Sequence, residues 1–279
     1  AFEQEIEDGY ADIAFDNQIS VADKTIFSRT VLKIITEGGI QNASKVSVSF
    51  DPSYQTVYFH TIRIIRGDEI IDQLNLSKMK IIQQEEGLDR FLYNGSLKSV
   101  LFLEDVRKGD VIDYSYSVIG SNPVFKGKFS TRLQTAYSFP VGNIYYKVIC
   151  PVQKHLIGKN RHTGVEPLVK DTAANRVYGW KLNEVKSLRL DDNVPLWFDP
   201  YGEVMVSEYK DWAEINEWAM ALFPTVEKIS PALQQKITNI RENAASDEQK
   251  VLNVLRFVQD DIRYMGIEMG QNSHKPHHP

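Results

Sequence analysis

The spacing of apolar residues changes once along this chain of 279 residues, and that change constrains the fold more than any other feature. From about residue 25 to 195 apolar residues recur at every second position between turn residues, as half-buried strands require. After Pro195 they recur at every third or fourth position, as on the inner face of a helix. The sequence therefore predicts a β-rich domain over 1–205 and a helical part over 206–279.

The strand predictions rest on alternation and on Gly/Asp turns. Arg66-Gly67-Asp68 reads as a hairpin turn rather than as an integrin-recognition tripeptide, because Gly67 tolerates a positive φ. Two further strands place apolar side chains on one face, which are Ile112, Tyr114, Tyr116 and Val118 in the first and Ile144, Tyr146, Val148 and Cys150 in the second. Many short strands of this kind predict an antiparallel β-sandwich.

Three helix starts follow. Asp211 and Glu214 form a D-x-x-E start signal, Ser230 precedes Pro231 at a second start, and Ser246 caps a third helix. The apolar stripes are Trp212, Ile215, Trp218, Ala219 and Leu222; Leu233, Ile237 and Ile240; and Val251, Leu255, Val258 and Ile262. The helices cover only about 70 residues, too few to bury these stripes alone. We expect them to pack against the β domain, a neighbouring chain or further sequence.

Composition excludes several classes of function. A net charge of -5 and a pI near 5.7, with no dense run of Lys and Arg, argue against nucleic-acid binding. No apolar run approaches the ~20 residues that a membrane span needs. Walker A, G-x-S-x-G, H-E-x-x-H and dinucleotide fingerprints are absent, so we expect no cofactor. The single cysteine excludes an internal disulfide.

Four stretches, which together span most of the chain, carry a family resemblance. They are SVSFDPSYQTVYFHTIRIIRGDEII, LEDVRKGDVIDYSYSV, VPLWFDPYGEVMVSEYKDWAEINEWA and LRFVQDDIRYMGIEMGQNSHKP. The last is the most specific, because a helix, an Arg-Tyr-x-Gly-Ile turn and an Asn-Ser-His-x-Pro run occur in order. The sequence resembles bacterial proteins in which a DUF3857 β domain is joined to a transglutaminase-like (papain-related) domain.

In that family the Asn-Ser-His-x-Pro run precedes a Gly-Asp-Cys-Lys-Asp motif with the nucleophilic cysteine, and His and Asp partners lie farther on. None of these is present here, so no catalytic residue is carried over. The resemblance implies a chain cut before its catalytic cysteine, the non-catalytic part of an exported thiol hydrolase or acyltransferase of the protease type. It also implies a downstream catalytic domain, a peptide or protein substrate, and a periplasmic or extracellular location after signal removal.

By the same resemblance, the tail from Gly266 onward leads toward the active-site cleft. It would place Tyr264, Asn272 and His274 at the edge of that cleft as binding residues.

Two residue types invite a catalytic or metal interpretation. Cys150 lies on the apolar face of a predicted strand, which favours a buried core thiol over a nucleophile. His274, His277 and His278 have the spacing H-x-x-H-H, but the prolines around them predict an extended segment without fixed ligand geometry. We therefore predict no metal site.

The alternative function comes from the tryptophans. Trp212 and Trp218 are explained by the helix stripe, whereas Trp180 and Trp197 are left over. Packing is the simpler explanation of both, but exposed aromatic side chains also form sugar-binding platforms. The chain is therefore either part of an enzyme or, as the alternative, a stand-alone β-sandwich module that binds a protein or a glycan.

Overall fold

The computed structural model describes residues 6–83, 90–191, 193–195, 197–223, 229–263 and 266–276. The protein is mainly β, with its longer helices at the C-terminal end, as the sequence predicts. The strands are β1 Tyr10–Ser20, β2 Thr25–Ile34, β3 Lys45–Phe50, β4 Thr56–Arg66, β5 Glu69–Asp72, β6 Lys80–Gln83, β7 Leu92–Tyr93, β8 Leu97–Phe102, β9 Val111–Ile119, β10 Ser130–Gln134, β11 Val141–Pro151, β12 Ile157–Arg161, β13 Leu168–Asp171, β14 Asn175–Val185, β15 Glu203–Ser207 and β16 Gly266–Ile267. The helices are α1 Glu37–Ala43, α2 Trp212–Leu222, α3 Pro231–Glu242 and α4 Asp247–Arg256.

The large sheet of the sandwich has eight strands, in the order β13-β14-β11-β1-β2-β9-β4-β5. All its neighbouring strands are antiparallel except β1 and β11, which run parallel. Two three-stranded sheets, β10-β15-β12 and β3-β8-β6, complete the sandwich. β15 ends at Ser207, so the β-rich part reaches just past the predicted boundary at 205, which remains a prediction.

Each small sheet covers its own part of the large sheet, which gives two separate cores. One core joins β11 and β14 to β15 through residues such as Ile144, Trp180 and Val204. The other joins β2, β4 and β9 to β3 and β8 through residues such as Leu32, Ile62, Ile112, Val46 and Leu101. Both lie on the same face of the large sheet, because Phe15 of the first core pairs with Thr30, two positions before Leu32.

Several strand predictions are confirmed in detail. The β4–β5 hairpin turns at Gly67 and Asp68, and Gly67 has a φ of +58°. The alternate residues of β11, from Ile144 to Cys150, are all buried. On β9, however, the polar side chains of Asp113, Ser115 and Ser117 are buried as well. Arg29 and Arg63 from the neighbouring strands explain the burial of Asp113, since both lie over its carboxylate.

The three predicted helix starts are also confirmed. Asp211, Ser230 and Ser246 each accept a hydrogen bond from the backbone N–H three residues later. Trp212 is 83% exposed at the first helical position, so within the described residues it does not pack against the β domain, and its burial against another chain or further sequence stays a prediction. Many apolar side chains of α3, α4 and the π-helical turn Phe257–Asp261 remain exposed in the described part of the chain, among them Ile237, Val251, Leu255 and Val258. Among the described helices, none combines the length and apolar character needed to cross a bilayer.

Candidate functional site

The segment 266–276 docks onto the β domain at a junction of distant parts of the chain. Its strand β16 pairs with β7, and the 3-10 turn Gly270–Ser273 contacts loops of the β domain. The Gly270 N–H donates to Asp51 Oδ2 over 3.1 Å. Asn122 Nδ2 donates to the Gly270 carbonyl over 2.8 Å and lies 3.0 Å from Ser273 Oγ. These contacts hold the tail in one defined position on the β domain, which we call its seat.

Local chemistry explains why the tail fits there. Gly270 has a φ of +56°, and a Cβ on it would come within 2.9 Å of Ser53 Oγ, so a glycine suits this position. On the opposite side, Asn122 caps the 3-10 turn Pro123–Phe125 by accepting a hydrogen bond from the Val124 N–H over 3.0 Å. The Nδ2 group of the buried Asn122 side chain then donates to the tail.

Four aromatic side chains meet beside this seat, and we call them the junction cluster: Phe125, Tyr209, Trp218 and His274. His274 packs edge-on against Phe125 with ring centroids 5.0 Å apart, and against Trp218 at 5.9 Å. Trp218 also stacks on Phe125 at 5.7 Å and donates from Nε1 to the Val124 carbonyl over 2.9 Å. The cluster thus joins helix α2 and the tail to the loop after β9.

Charged groups line the same junction. Lys128 forms an ion pair with Glu214 of α2, and its Nζ lies 5.0 Å from the centroid of the Tyr209 ring. The hydrogen bond from Lys128 lowers the pKa of Glu214 below its ordinary value. This pair fixes the start of α2 against the loop that leads into β10.

Two cavities open on this junction. The first, which we call the junction cavity, has a volume of about 540 Å³ and is lined by Phe125, Thr131, Arg132, Met205, Trp218 and His274, among others. The second, the groove cavity, has about 310 Å³ and is lined by residues that include Ile19, Ile26, Tyr54, Phe129 and Thr131. Both have mixed apolar and polar walls, as ligand sites do.

The predicted binding residues have three different outcomes. His274 lines the junction cavity, and its Nδ1 lies 2.8 Å from Ser273 Oγ. Asn272 is half-buried in the same turn, and its backbone N–H donates to the Met269 carbonyl. Tyr264 lies outside the described residues, so its assignment to the cleft stays a prediction.

The one cysteine of the sequence does not lie beside these side chains. Cys150 is 1% exposed within the first core, as the sequence indicates. Burial raises the pKa of its thiol, and the charge of Glu208 adds a smaller increase. Within the described ranges no group of three or more His, Cys, Asp or Glu side chains could hold a metal ion. His277 and His278 lie outside those ranges.

Sequence reasoning missed the β-domain half of the junction. Asn122 and Phe125 were not singled out, although an Asn-Pro dipeptide such as Asn122-Pro123 favours a turn. Trp218 was assigned to the helix stripe and is indeed half-buried against Phe125. The other tryptophans fall on both sides: Trp180 is 2% exposed in the core, whereas Trp197 is 82% exposed.

Comparison with known proteins assigns the chain to a family through its β domain. The model of a domain of unknown function with solved structure, DUF3857, matches residues 22–189. The chain belongs to the DUF3857 family. No curated protein matches it.

A solved structure shares the fold. A putative protease from Parabacteroides distasonis is similar over 97% of this chain and 54% of that one, with 14% identity and a TM-score of 0.76. This chain thus spans about half the length of that protein. Legionella pneumophila aminopeptidase A in complex with aspartic acid matches at 9% identity over 74% of this chain and 22% of that one, with a TM-score of 0.38. A putative nutrient binding protein from the same species matches at 10% identity over 91% and 95%, with a TM-score of 0.32.

The seat of the tail can be tested by changing Asn122 to alanine. We expect the amides of 270–274 to exchange hydrogen about tenfold faster, because the Gly270 carbonyl loses its buried donor. Asn75→Ala is the matched control, since Asn75 caps another 3-10 turn through Ser77 but does not touch the tail. Hydrogen exchange read by mass spectrometry measures both. Tail amides unchanged in Asn122→Ala, or equally accelerated in the control, would contradict the assignment.

Proposed function

We propose that this chain is the non-catalytic N-terminal portion of a longer transglutaminase-like thiol hydrolase or acyltransferase. In this proposal the β domain of 1–205 positions a substrate or a partner, and 206–279 contributes the first helices of the catalytic domain. The sequence resemblance supports the class, and the shared fold with a putative protease nearly twice as long is consistent with it.

One observation carries the proposal. The helices α3 and α4 and the π-helical turn Phe257–Asp261 expose apolar side chains that a self-sufficient helical part would bury, among them Val251, Leu252, Val254, Leu255 and Val258. The same region ends in a tail that is held in a defined seat, with His274 facing a cavity. Exposed apolar area of this extent marks a surface that another structural element covers. A catalytic domain that packs on α3 and α4 would meet the tail at the junction cluster.

The chemistry requires such a domain. Thiol catalysis needs a thiolate, an imidazole that takes its proton, and a third group that orients the imidazole. Cys150 is buried in an apolar core where the thiolate is disfavoured, and His274 lies at the separate junction cluster. The reacting thiol therefore has to come from residues that accompany this chain.

Alkylation of cysteine tests the proposal. In the native 279-residue chain, Cys150 should resist iodoacetamide and react only in denaturant, because it is buried with a raised pKa. A longer natural chain that includes the expected Gly-Asp-Cys motif should label rapidly at the added cysteine. Cys150→Ser is the control and should leave that labelling intact. Rapid native labelling of Cys150, with hydrolysis lost in Cys150→Ser, would refute the proposal.

A further inference from the structure

Strand β10 lies at a free edge of its sheet. In the order β10-β15-β12 it pairs, among the strands that the structure describes, with β15 alone, in an antiparallel register that sets Ser130 opposite Ser207 and Arg132 opposite Met205. The Glu208 N–H donates to the Phe129 carbonyl, and the Thr135 N–H donates to the Gly202 carbonyl. Along an antiparallel edge strand, the backbone N–H and C=O groups of alternate residues point toward the paired strand or away from it. The backbone groups of the odd-numbered residues of β10 therefore point toward β15, and those of the even-numbered residues point outward.

The outward backbone groups of this edge are available. Among the described residues, the backbone N–H and C=O groups of Ser130 and Arg132 have no hydrogen-bond partner, and both residues are exposed. The edge ends at Gln134, whose carbonyl accepts a hydrogen bond from Tyr146 Oη over 2.7 Å. An exposed edge of this kind is a template for an additional strand.

The two cavities lie on opposite faces of this edge. The junction cavity adjoins the outer face of the small sheet, where Arg132 and Met205 lie side by side. The groove cavity adjoins the start of β10 on the side of the large sheet, where Ile19 and Ile26 form its wall. Successive side chains of an extended chain point to opposite faces, so a strand added to β10 would direct alternate side chains into the two cavities.

We propose that β10 binds an extended peptide as an added strand, with one apolar or aromatic side chain in the junction cavity and a neighbouring one toward the groove cavity. That this peptide is the substrate rests on the proposed function; the binding itself does not. A peptide fits because the edge offers both donors and acceptors of backbone hydrogen bonds, spaced as in a sheet. The aromatic walls around Phe125, Trp218 and His274 favour an apolar side chain over a charged one.

The probe is a fluorescein-labelled peptide of alternating threonine and phenylalanine with a lysine at each end, and its binding to the 279-residue chain is followed by fluorescence anisotropy. Arg132→Pro removes the outward N–H from β10 and should weaken binding about tenfold or more. Arg132→Ala keeps this N–H and removes only the side chain, which lines the junction cavity, so the further loss of about tenfold from Arg132→Ala to Arg132→Pro measures the backbone hydrogen bond. Val169→Pro is the matched control, since Val169 has the same outward position on edge strand β13. It should bind like the original chain.

A second arm leaves the protein unchanged. N-methylation of alternate residues of the probe removes its backbone donors on one side only. We expect one of the two methylation patterns to abolish binding and the other to preserve it, which a purely side-chain site would not distinguish. Equal binding by Arg132→Pro, equal loss in Val169→Pro, or indifference to the methylation pattern would overturn the proposal.

Two further outcomes are separated by design. If β10 instead pairs with a second copy of the chain, sedimentation should show a dimer that Arg132→Pro dissolves, together with no probe binding, and the peptide proposal fails. No turnover is measured, so the readout does not depend on a catalytic domain. Failure of thiol labelling in the longer chain would refute the proposed function and leave peptide binding at β10 standing.

Discussion

Replacing Asp113 by alanine is expected to lower the free energy of unfolding by about 3 kcal/mol, because it removes the shared partner of two arginines. Asp113 is 1% exposed on β9. It accepts hydrogen bonds from Arg29 on β2 at 2.8 Å and from Arg63 on β4 at 2.6 Å. Burial raises the pKa of its carboxyl, but these hydrogen bonds outweigh that effect and hold the pKa below its ordinary value. Asp113 thus links three neighbouring strands in its ionised form.

Urea unfolding measures the loss as a lower midpoint. Asp171→Ala is the matched control, because Asp171 also accepts two hydrogen bonds from one arginine, Arg176, but on the exposed edge of the sheet. Exposed pairs of this kind contribute little to stability. A loss in Asp113→Ala no greater than in the control would show that the buried triad does not stabilise the sheet.

Replacing Asp12 by asparagine is expected to stabilise the protein above neutral pH and to leave it unchanged in acid. Asp12 lies on the core-side face of β1, at a cavity of about 410 Å³ lined also by Tyr10, Asp8 and Arg189. Burial, with a smaller contribution from the charge of Asp8, raises the pKa of its carboxyl to about 7. Tyr114 and Tyr137 are close enough for their own pKa values to be raised by its charge.

The sign of this pH dependence of stability follows from proton binding. The folded state holds a proton on Asp12 up to about pH 7, whereas the unfolded chain releases it near the ordinary carboxyl value. Folding stability therefore falls as pH rises between these two values and is constant above them. At pH 8 Asp12→Asn should be more stable by about 2 kcal/mol, roughly half the full linkage value because the side chain is partly exposed. At pH 4 the two proteins should agree.

Thermal unfolding at both pH values tests this. The control is Asp68→Asn, which changes an exposed carboxyl in the β4–β5 turn and should follow the original protein at both. If Asp12→Asn were destabilising at pH 8, the ionised carboxylate would be favourable in the folded state and the stated cause would be wrong.

Much of the fold is readable from local pattern. Strands with one buried face, such as β11 and β3, show strict alternation of buried and exposed residues. The helix starts are predictable because Asp211, Ser230 and Ser246 are N-cap residues. The strands β1, β15 and β16 lie outside residues 25–195, over which strands were predicted. Of these, β1 is the longest. Most of its residues are half-buried on both faces because it lies between the two cores, and a register shift interrupts it between Asp12 and Ala14. Without alternation, a central strand leaves little signal.

The candidate site was harder to predict for a different reason. A family resemblance directed attention to Asn272 and His274, but their partners come from remote parts of the chain. Asn122 lies 148 residues from Gly270, and the stack of Phe125 on Trp218 depends on how α2 returns over the β9–β10 loop. No local pattern encodes a contact across such a distance. Likewise, the free edge of β10 follows from sheet order, which a single sequence does not specify.

The mixed pairing of β1 has a consequence for the order in which the molecule assembles. As the chain leaves the ribosome, β1 can pair with β2 at once, and β4 and β9 can then join them around the second core. The other edge of β1 has to wait for β11, since 129 residues separate Gln18 from Lys147. Long-range parallel pairing of this kind is slow. The nascent protein therefore carries an open strand edge until β11 has been synthesised, and closure of that edge by β11 is expected to limit the rate of folding.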